Sequence, residues 1–146
     1  MRRAEIESNV LSALQRDPRI KRPELIAVSV DEIGTVVLRG AVEGPRQRAA
    51  AVHDARQIDG VFTVIDHLQV RLPMFDDRAD DEIRAAALRR LISDDSVRAD
   101  HIHVEVSDGR LTLTGHVRDE SQRVRAAEDV SGIIGVSGVE NRIRVE

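Results

Sequence analysis

The stretch GTVVLRGAVEGPRQRAAAVHDARQIDGV, Gly34 to Val61, returns as GRLTLTGHVRDESQRVRAAEDVSGIIGV, Gly109 to Val136. Each residue of the second copy lies 75 positions after its counterpart: Gly34 with Gly109, Leu38 with Leu113, Gly40 with Gly115, Val42 with Val117, Gly60 with Gly135. Self-similarity at a fixed period marks a repeated structural unit. The likeness runs on to Val70 and Val145 at the same offset. Upstream, Ile26, Val28 and Val30 align with Ile102, Val104 and Val106 at an offset of 76, so one extra residue sits in a turn of the first copy.

Within each copy the apolar spacing changes in a fixed order. Ile6, Val10, Leu11 and Leu14, and again Ile83, Leu88, Leu91 and Ile92, recur at helical spacing. Pro18 closes the first of these helices, and Asp94-Asp95 comes directly after the second. Strict alternation then predicts a strand through Ile26, Val28 and Val30 and through Ile102, Val104 and Val106. Ser107-Asp108-Gly109-Arg110 predicts a type I′ hairpin turn, because Asp-Gly accepts two positive φ angles. A second strand runs through Leu111, Leu113, Gly115 and Val117. A second helix opens with Pro45 at its first position in copy one and with Asp119 as N-cap in copy two. Gly60 and Gly135 are expected just past its end. A last strand carries Val64, Leu68 and Val70, matched by Val139, Ile143 and Val145 on an inward face.

The expected fold class is therefore α+β. Two tandem α-β-β-α-β modules each hold a three-stranded mixed sheet packed on two helices. The second strand, second helix and third strand should form a right-handed crossover. Module one is placed at residues 1–72, a linker at 73–77, and module two at 78–146. The apolar linker residues are expected between packed modules. A unit of roughly 70 residues buries only about 60% of its unfolded surface, so packing of two would help both.

Composition narrows the function. The chain has 146 residues and no cysteine, which excludes disulfides, thiolate nucleophiles and thiolate zinc sites. No apolar run is long enough to span a membrane. Arg2 and Arg3 resemble the start of a signal peptide, but Glu5, Glu7 and Asn9 interrupt the apolar stretch such a peptide needs, and a cytoplasmic location is expected. The single lysine, Lys21, stands among 22 basic residues; arginine codons are GC-rich, so the bias points to a GC-rich bacterial genome. Residues 1–75 hold 11 basic and 10 acidic side chains, and residues 76–146 hold 11 and 16. Neither half makes the positive field of a nucleic-acid binder.

The pattern resembles the BON family. Its marks are a strand ending Leu-x-Gly-x-Val, a helix, then Gly-Val and a strand of the form Val-x-Asn-x-Leu-x-Val. Copy one carries Leu38-Arg39-Gly40-Ala41-Val42, Gly60-Val61 and Val64-Ile65-Asp66-His67-Leu68-Gln69-Val70. Copy two carries Leu113-Thr114-Gly115-His116-Val117, Gly135-Val136 and Val139-Glu140-Asn141-Arg142-Ile143-Arg144-Val145. Copy one departs from the pattern at Asp66, where asparagine is usual. The resemblance implies a non-enzymatic, stress-associated binding module without a cofactor. Members of this kind include an osmotically induced periplasmic protein with two such modules and outer-membrane lipoproteins that bind anionic phospholipid. Another is a cytoplasmic potassium-binding protein that joins one module to a LysM module. The expected partner is a protein or an amphiphilic or phospholipid ligand. The alternative is a cytoplasmic sensor of potassium or another metal ion.

Several individual residues admit two readings. Gly40 and Gly115 lie on the apolar side of a strand. Close packing of a helix on the sheet is the plainer reading, and approach of a ligand the sharper one. Asp66 and Asn141 sit between apolar strand residues and must find partners. A hydrogen bond to turn backbone is the plainer account, and a cation ligand, with nearby carbonyls, the alternative. His101, His103, Glu105 and His116 are expected on one polar sheet face, so His101, His103 and His116 form a candidate metal site or pH switch. The plainer reading is a solvated face. Arg46, Arg48, Arg123 and Arg125 on the second helices suit phosphate or anionic lipid, against ordinary helix-surface pairing. With no Trp or Tyr beside them, peripheral membrane contact is disfavoured. Catalysis lacks a nucleophile elbow, a phosphate loop and paired carboxylates in a cleft.

Overall fold

Helix α1, Arg3–Arg16, forms where apolar residues recur every three or four positions, and it buries Ile6, Val10 and Leu14. Helix α3, Arg78–Ser93, repeats the design and buries Ile83, Leu88 and Leu91. The computed structural model describes residues 2–71 and 78–146. Two units result, Met1–Pro73 and Met74–Glu146. The expected linker at 73–77, and with it the packing of its apolar residues, lies outside the described residues.

The first unit continues through a 3-10 turn at Pro23–Leu25 into β1 (Ile26–Val30), β2 (Thr35–Val42), α2 (Pro45–Arg56) and β3 (Thr63–Val70). The second has a 3-10 turn at Ala99–His101, then β4 (Ile102–Ser107), β5 (Arg110–Val117), α4 (Glu120–Ser131), β6 (Gly138–Asn141) and β7 (Arg144–Val145). Each sheet is mixed. β1 and β2 pair antiparallel, from Ile26 opposite Gly40 to Val30 opposite Val36, and β3 runs parallel to β2. β4 and β5 pair antiparallel with Ile102 opposite Gly115 and Ser107 opposite Arg110. β6 and β7 both run parallel to β5 along one edge, as a single strand interrupted at Arg142 and Ile143.

The hairpin turn is as expected: Asp108 and Gly109 have φ of 50° and 79°. Asp80 at the start of α3 holds it, its carboxylate accepting from the backbone N–H of Asp108 and of Gly109, both at 2.9 Å. In the first module the longer turn is closed instead by Asp31, which accepts from the N–H groups of Ile33, Gly34 and Thr35.

Helix α4 starts as expected too. Asp119 accepts from the backbone N–H of Gln122 at 3.0 Å. Asp119→Ala should therefore lower stability by about 1 kcal/mol, read as a drop in the urea midpoint; an unmoved midpoint would show that the cap contributes nothing. The helix ends differ from expectation. α2 and α4 stop at Arg56 and Ser131, with Gln57 and Gly132 as C-caps, and Gly60 and Gly135 lie farther on, in the turns entering β3 and β6.

Two further expectations are corrected. Gly40 and Gly115 do not make room for a helix. They have φ of 113° and 120°, and a Cβ there would collide with the carbonyl oxygens of Leu25 and His101, at the ends of the two 3-10 turns. Val70 and Val145 are not inward core residues. They are 40% and 45% exposed, because each ends an edge strand flanked on one side only. The core beneath the sheets is held instead by Leu14, Leu38 and Val36 in one module and by Leu91, Leu111 and Leu113 in the other, all fully buried.

Candidate functional site

The polar residues singled out in the third strands act within their own modules. Asp66 is opposite Leu38 on the core side of β3. Its Oδ1 accepts from the Leu68 N–H at 2.9 Å and its Oδ2 from Arg48 Nε at 2.7 Å. Asn141, at the matching place, accepts from the Ile143 N–H at 3.2 Å and donates through Nδ2 to the Arg123 carbonyl at 2.9 Å. Arg123 then donates to the carbonyls of Ile143 and Asn141 at 3.1 and 3.3 Å. The same helix arginine thus fastens the same strand in both modules, once through a carboxylate and once through backbone carbonyls. The side-chain oxygens of Asp66 and Asn141 thus accept hydrogen bonds within the module, and the arrangement forms a helix–strand tie. Of the four second-helix arginines, Arg48, Arg123 and Arg125 all reach acceptors inside the protein.

The histidines partly come together. His101 and His116 stack with ring centroids 4.7 Å apart and planes 26° apart. His103 and Glu105 lie farther along the same exposed face, opposite Thr114 and Thr112. Imidazole lone pairs lie in the ring plane, so near-parallel rings do not aim at one point. Among the described residues no group of three or more His, Asp or Glu side chains is placed to hold a metal ion.

Two features go beyond the sequence expectations. The first is apolar. Ile33 and Phe62 are 72% and 74% exposed, and both stand at the hairpin end of module one, where the Phe62 N–H donates to the Gly34 carbonyl at 2.8 Å. The same end of module two has the equivalent bond from Ser137 to Gly109, at 2.9 Å, and displays Ile134, which is 96% exposed. Two exposed apolar side chains at this end of module one, and one at the same end of module two, suit contact with another apolar surface. Phe62, one of only two aromatic residues, is the available signal in the sequence.

The second is a pair of aspartates in each module. Asp17, the C-cap of α1, meets Asp54 of α2; Asp94, just after α3, meets Asp129 of α4. Burial first, then the neighbouring carboxylate, pushes Asp54 and Asp129 up to about 7. Asp17 is held well below the usual carboxylate range, chiefly by Arg19, and Asp94 likewise, chiefly by the hydrogen bond from Asp129. Such a split is what acid–base chemistry uses. Asp54 Oδ2 and Asp129 Oδ2 are themselves buried and have no hydrogen-bond partner among the described residues.

These modules match a known family. Residues 2–71 and residues 79–146 each match the BON domain. The chain belongs to the BON family. It is 32% identical to Osmotically-inducible protein Y of Escherichia coli (strain K12) over 149 aligned positions, covering 97% of this chain and 71% of that protein. Among solved structures, the C-terminal domain of CdsD, the structural protein of the type III secretion system of Chlamydia trachomatis, overlays at a TM-score of 0.42 with 12% identity. That overlay covers 100% of both chains. A second CdsD structure overlays at 0.41 with 17% identity and covers 100% of this chain and 64% of that one. As a BON protein, the chain is a tandem repeat of two modules in which no described helix is long and apolar enough to cross a membrane.

Proposed function

We propose that this BON protein is a non-enzymatic binding protein of the osmotic-stress response, which engages a protein or an amphiphilic ligand through the hairpin ends of its modules. The likeness to an osmotically inducible protein along 97% of the chain supports the stress association. The observation that carries the binding reading is the exposure of Ile33 and Phe62 in one module and Ile134 in the other. Exposed apolar side chains lose unfavourable hydration when covered, at roughly 25 cal/mol per Å². A cytoplasmic site of action belongs to the same reading, and a chain without cysteine is in keeping with it.

Three measurements test it. Deleting the gene in its host should slow recovery from hyperosmotic shock. The wild-type gene should restore recovery and Ile33→Ser/Phe62→Ser should not; a deletion strain that recovers normally overturns the stress role. Titrating the labelled protein with phospholipid micelles, or with a candidate protein partner, should shift amide signals around Ile33, Phe62 and Ile134. Shifts confined to other residues would refute the assignment of the hairpin ends. Fractionation of the host then checks the compartment, and recovery in a periplasmic fraction would overturn the cytoplasmic placement.

A further inference from the structure

The aspartate pairs are the feature that duplication preserved with least apparent reason. Ile6 aligns with Ile83 and Leu14 with Leu91, and in that register Asp17 aligns with Asp94 and Arg19 with Ser96. Asp54 aligns with Asp129, and Ala50 with Arg125. Both acids are kept, while the cation beside them has changed its origin. In module one the guanidinium comes from the loop: Arg19 Nη2 lies 2.8 Å from Asp17 Oδ2 and 3.5 Å from Asp54 Oδ1. In module two it comes from the helix: Arg125 Nε lies 2.9 Å from Asp94 Oδ2, and Ser96 stands where Arg19 stood. Loss of an arginine at one position and its gain at another keeps one positive charge beside each pair.

The hydrogen bonds assign the protonation. Asp17 Oδ1 accepts from the Arg19 backbone N–H at 2.9 Å and from its Nε at 3.0 Å. Asp94 Oδ1 accepts from the Ser96 N–H at 3.0 Å and from its hydroxyl at 2.6 Å. These two acids are saturated with donors, as an ionised carboxylate requires. Their partners are not. Asp54 Oδ2 and Asp129 Oδ2 are buried and accept from no donor among the described residues. A buried carboxylate oxygen without a donor is costly in a group that neighbours a second carboxylate when both are ionised. It becomes favourable when one proton joins them as O–H···O⁻.

We propose that each module is fastened by one proton shared between these two aspartates, and that the joint between the end of its first helix and its second helix loosens when that proton leaves. The other charged groups at the joint are few. Asp54 is acted on by Asp17 and Arg19. Asp129 is acted on by Asp94, Arg125 and Glu128, and Arg90 of α3 reaches its carbonyl at 3.5 Å. In module two the pair borders an open depression of about 820 Å³ whose wall includes Arg89, Arg90 and Arg125, so loss of the proton also adds negative charge there.

Linkage gives the sign. Asp54 and Asp129 bind a proton more tightly folded than unfolded, since they rise from 3.8 to about 7. Their stabilisation is complete below about pH 4 and is lost as pH rises through 7. Asp17 and Asp94 act oppositely, and their contribution is lost only as pH falls below the ordinary carboxylate range. Between pH 5 and 8 the first effect dominates.

Urea unfolding of the full chain at pH 5 and at pH 8 tests the idea. The unfolding constant should rise by about tenfold or more between them, and Asp54→Asn/Asp129→Asn should remove most of that rise. A wild-type profile that is flat, or a double variant with the wild-type slope, overturns the proposal. Carboxyl carbon NMR of the unaltered protein gives a second reading, which holds even if the variant fails to fold. Two aspartates should titrate above pH 6. If no aspartate titrates above pH 6, no proton is shared.

Discussion

Gly115→Ala is expected to destabilise the second module by about 3 kcal/mol. Two costs combine. The backbone at Gly115 has φ of 120°, which a residue with a side chain rarely adopts, and the new Cβ would be driven into the His101 carbonyl. Backbone atoms cannot step aside as a flexible side chain can, so relief requires the 3-10 turn at Ala99–His101 to shift away from β5. That turn also carries the ring stacked on His116, and so the stack should be lost with it. A module of roughly 70 residues has only a few kcal/mol of stability to lose. The comparison is Gly138→Ala, where a Cβ meets nothing within 4 Å and φ is not in the left-handed region. Urea midpoints should fall sharply for Gly115→Ala and move little for Gly138→Ala. Equal midpoints for the two would remove the collision as an explanation of why glycine stands there.

Leu38→Ala and Leu113→Ala should each cost about 2–5 kcal/mol, since each removes three methyl or methylene-sized groups from a fully buried site and leaves a cavity. The two leucines occupy the same place in their modules. Leu38 faces Val28 across the antiparallel pair and Leu113 faces Val104, and both are 0% exposed. Val124→Ser, at a side chain 44% exposed on α4, is the surface control and should change stability by less than about 0.5 kcal/mol. Denaturant melts of the three variants decide the matter. A loss below about 1 kcal/mol at either leucine would mean that its core relaxes to fill the space.

These two sets of residues also show what can be read in the chain. Leu38 and Leu113 are legible because burial follows the period of the strand, and the period is written in the sequence twice. The hairpin at Asp108-Gly109 is legible because its φ angles restrict the residue types that fit. Gly115 stands out in the sequence, but its neighbour does not. Its position on the apolar side of a strand suggests a helix above it, whereas the obstacle is a carbonyl from a turn whose approach no local pattern encodes. For Asp66 and Asn141 the sequence suggests hydrogen bonds to nearby backbone. They make these at Leu68 and Ile143, but their main ties, to Arg48 and Arg123, reach across to another element. The His101–His116 pairing comes from hairpin register, while ring orientation depends on side-chain torsions that register does not set.

The sequence by itself determined the repeat, the order of elements, the parallel and antiparallel pairings, and most of the core, since all of these arise from apolar spacing, turn chemistry and short-range sterics. Only the tertiary structure decided which polar groups meet. Asp17 with Asp54, and Asp94 with Asp129, lie on elements separated by two strands in the chain. Each reads alone as an ordinary surface aspartate near a helix. Packing brings each pair together and takes it largely out of water, and that desolvation, absent from any local pattern, raises the pKa of Asp54 and Asp129 while hydrogen bonds hold Asp17 and Asp94 low.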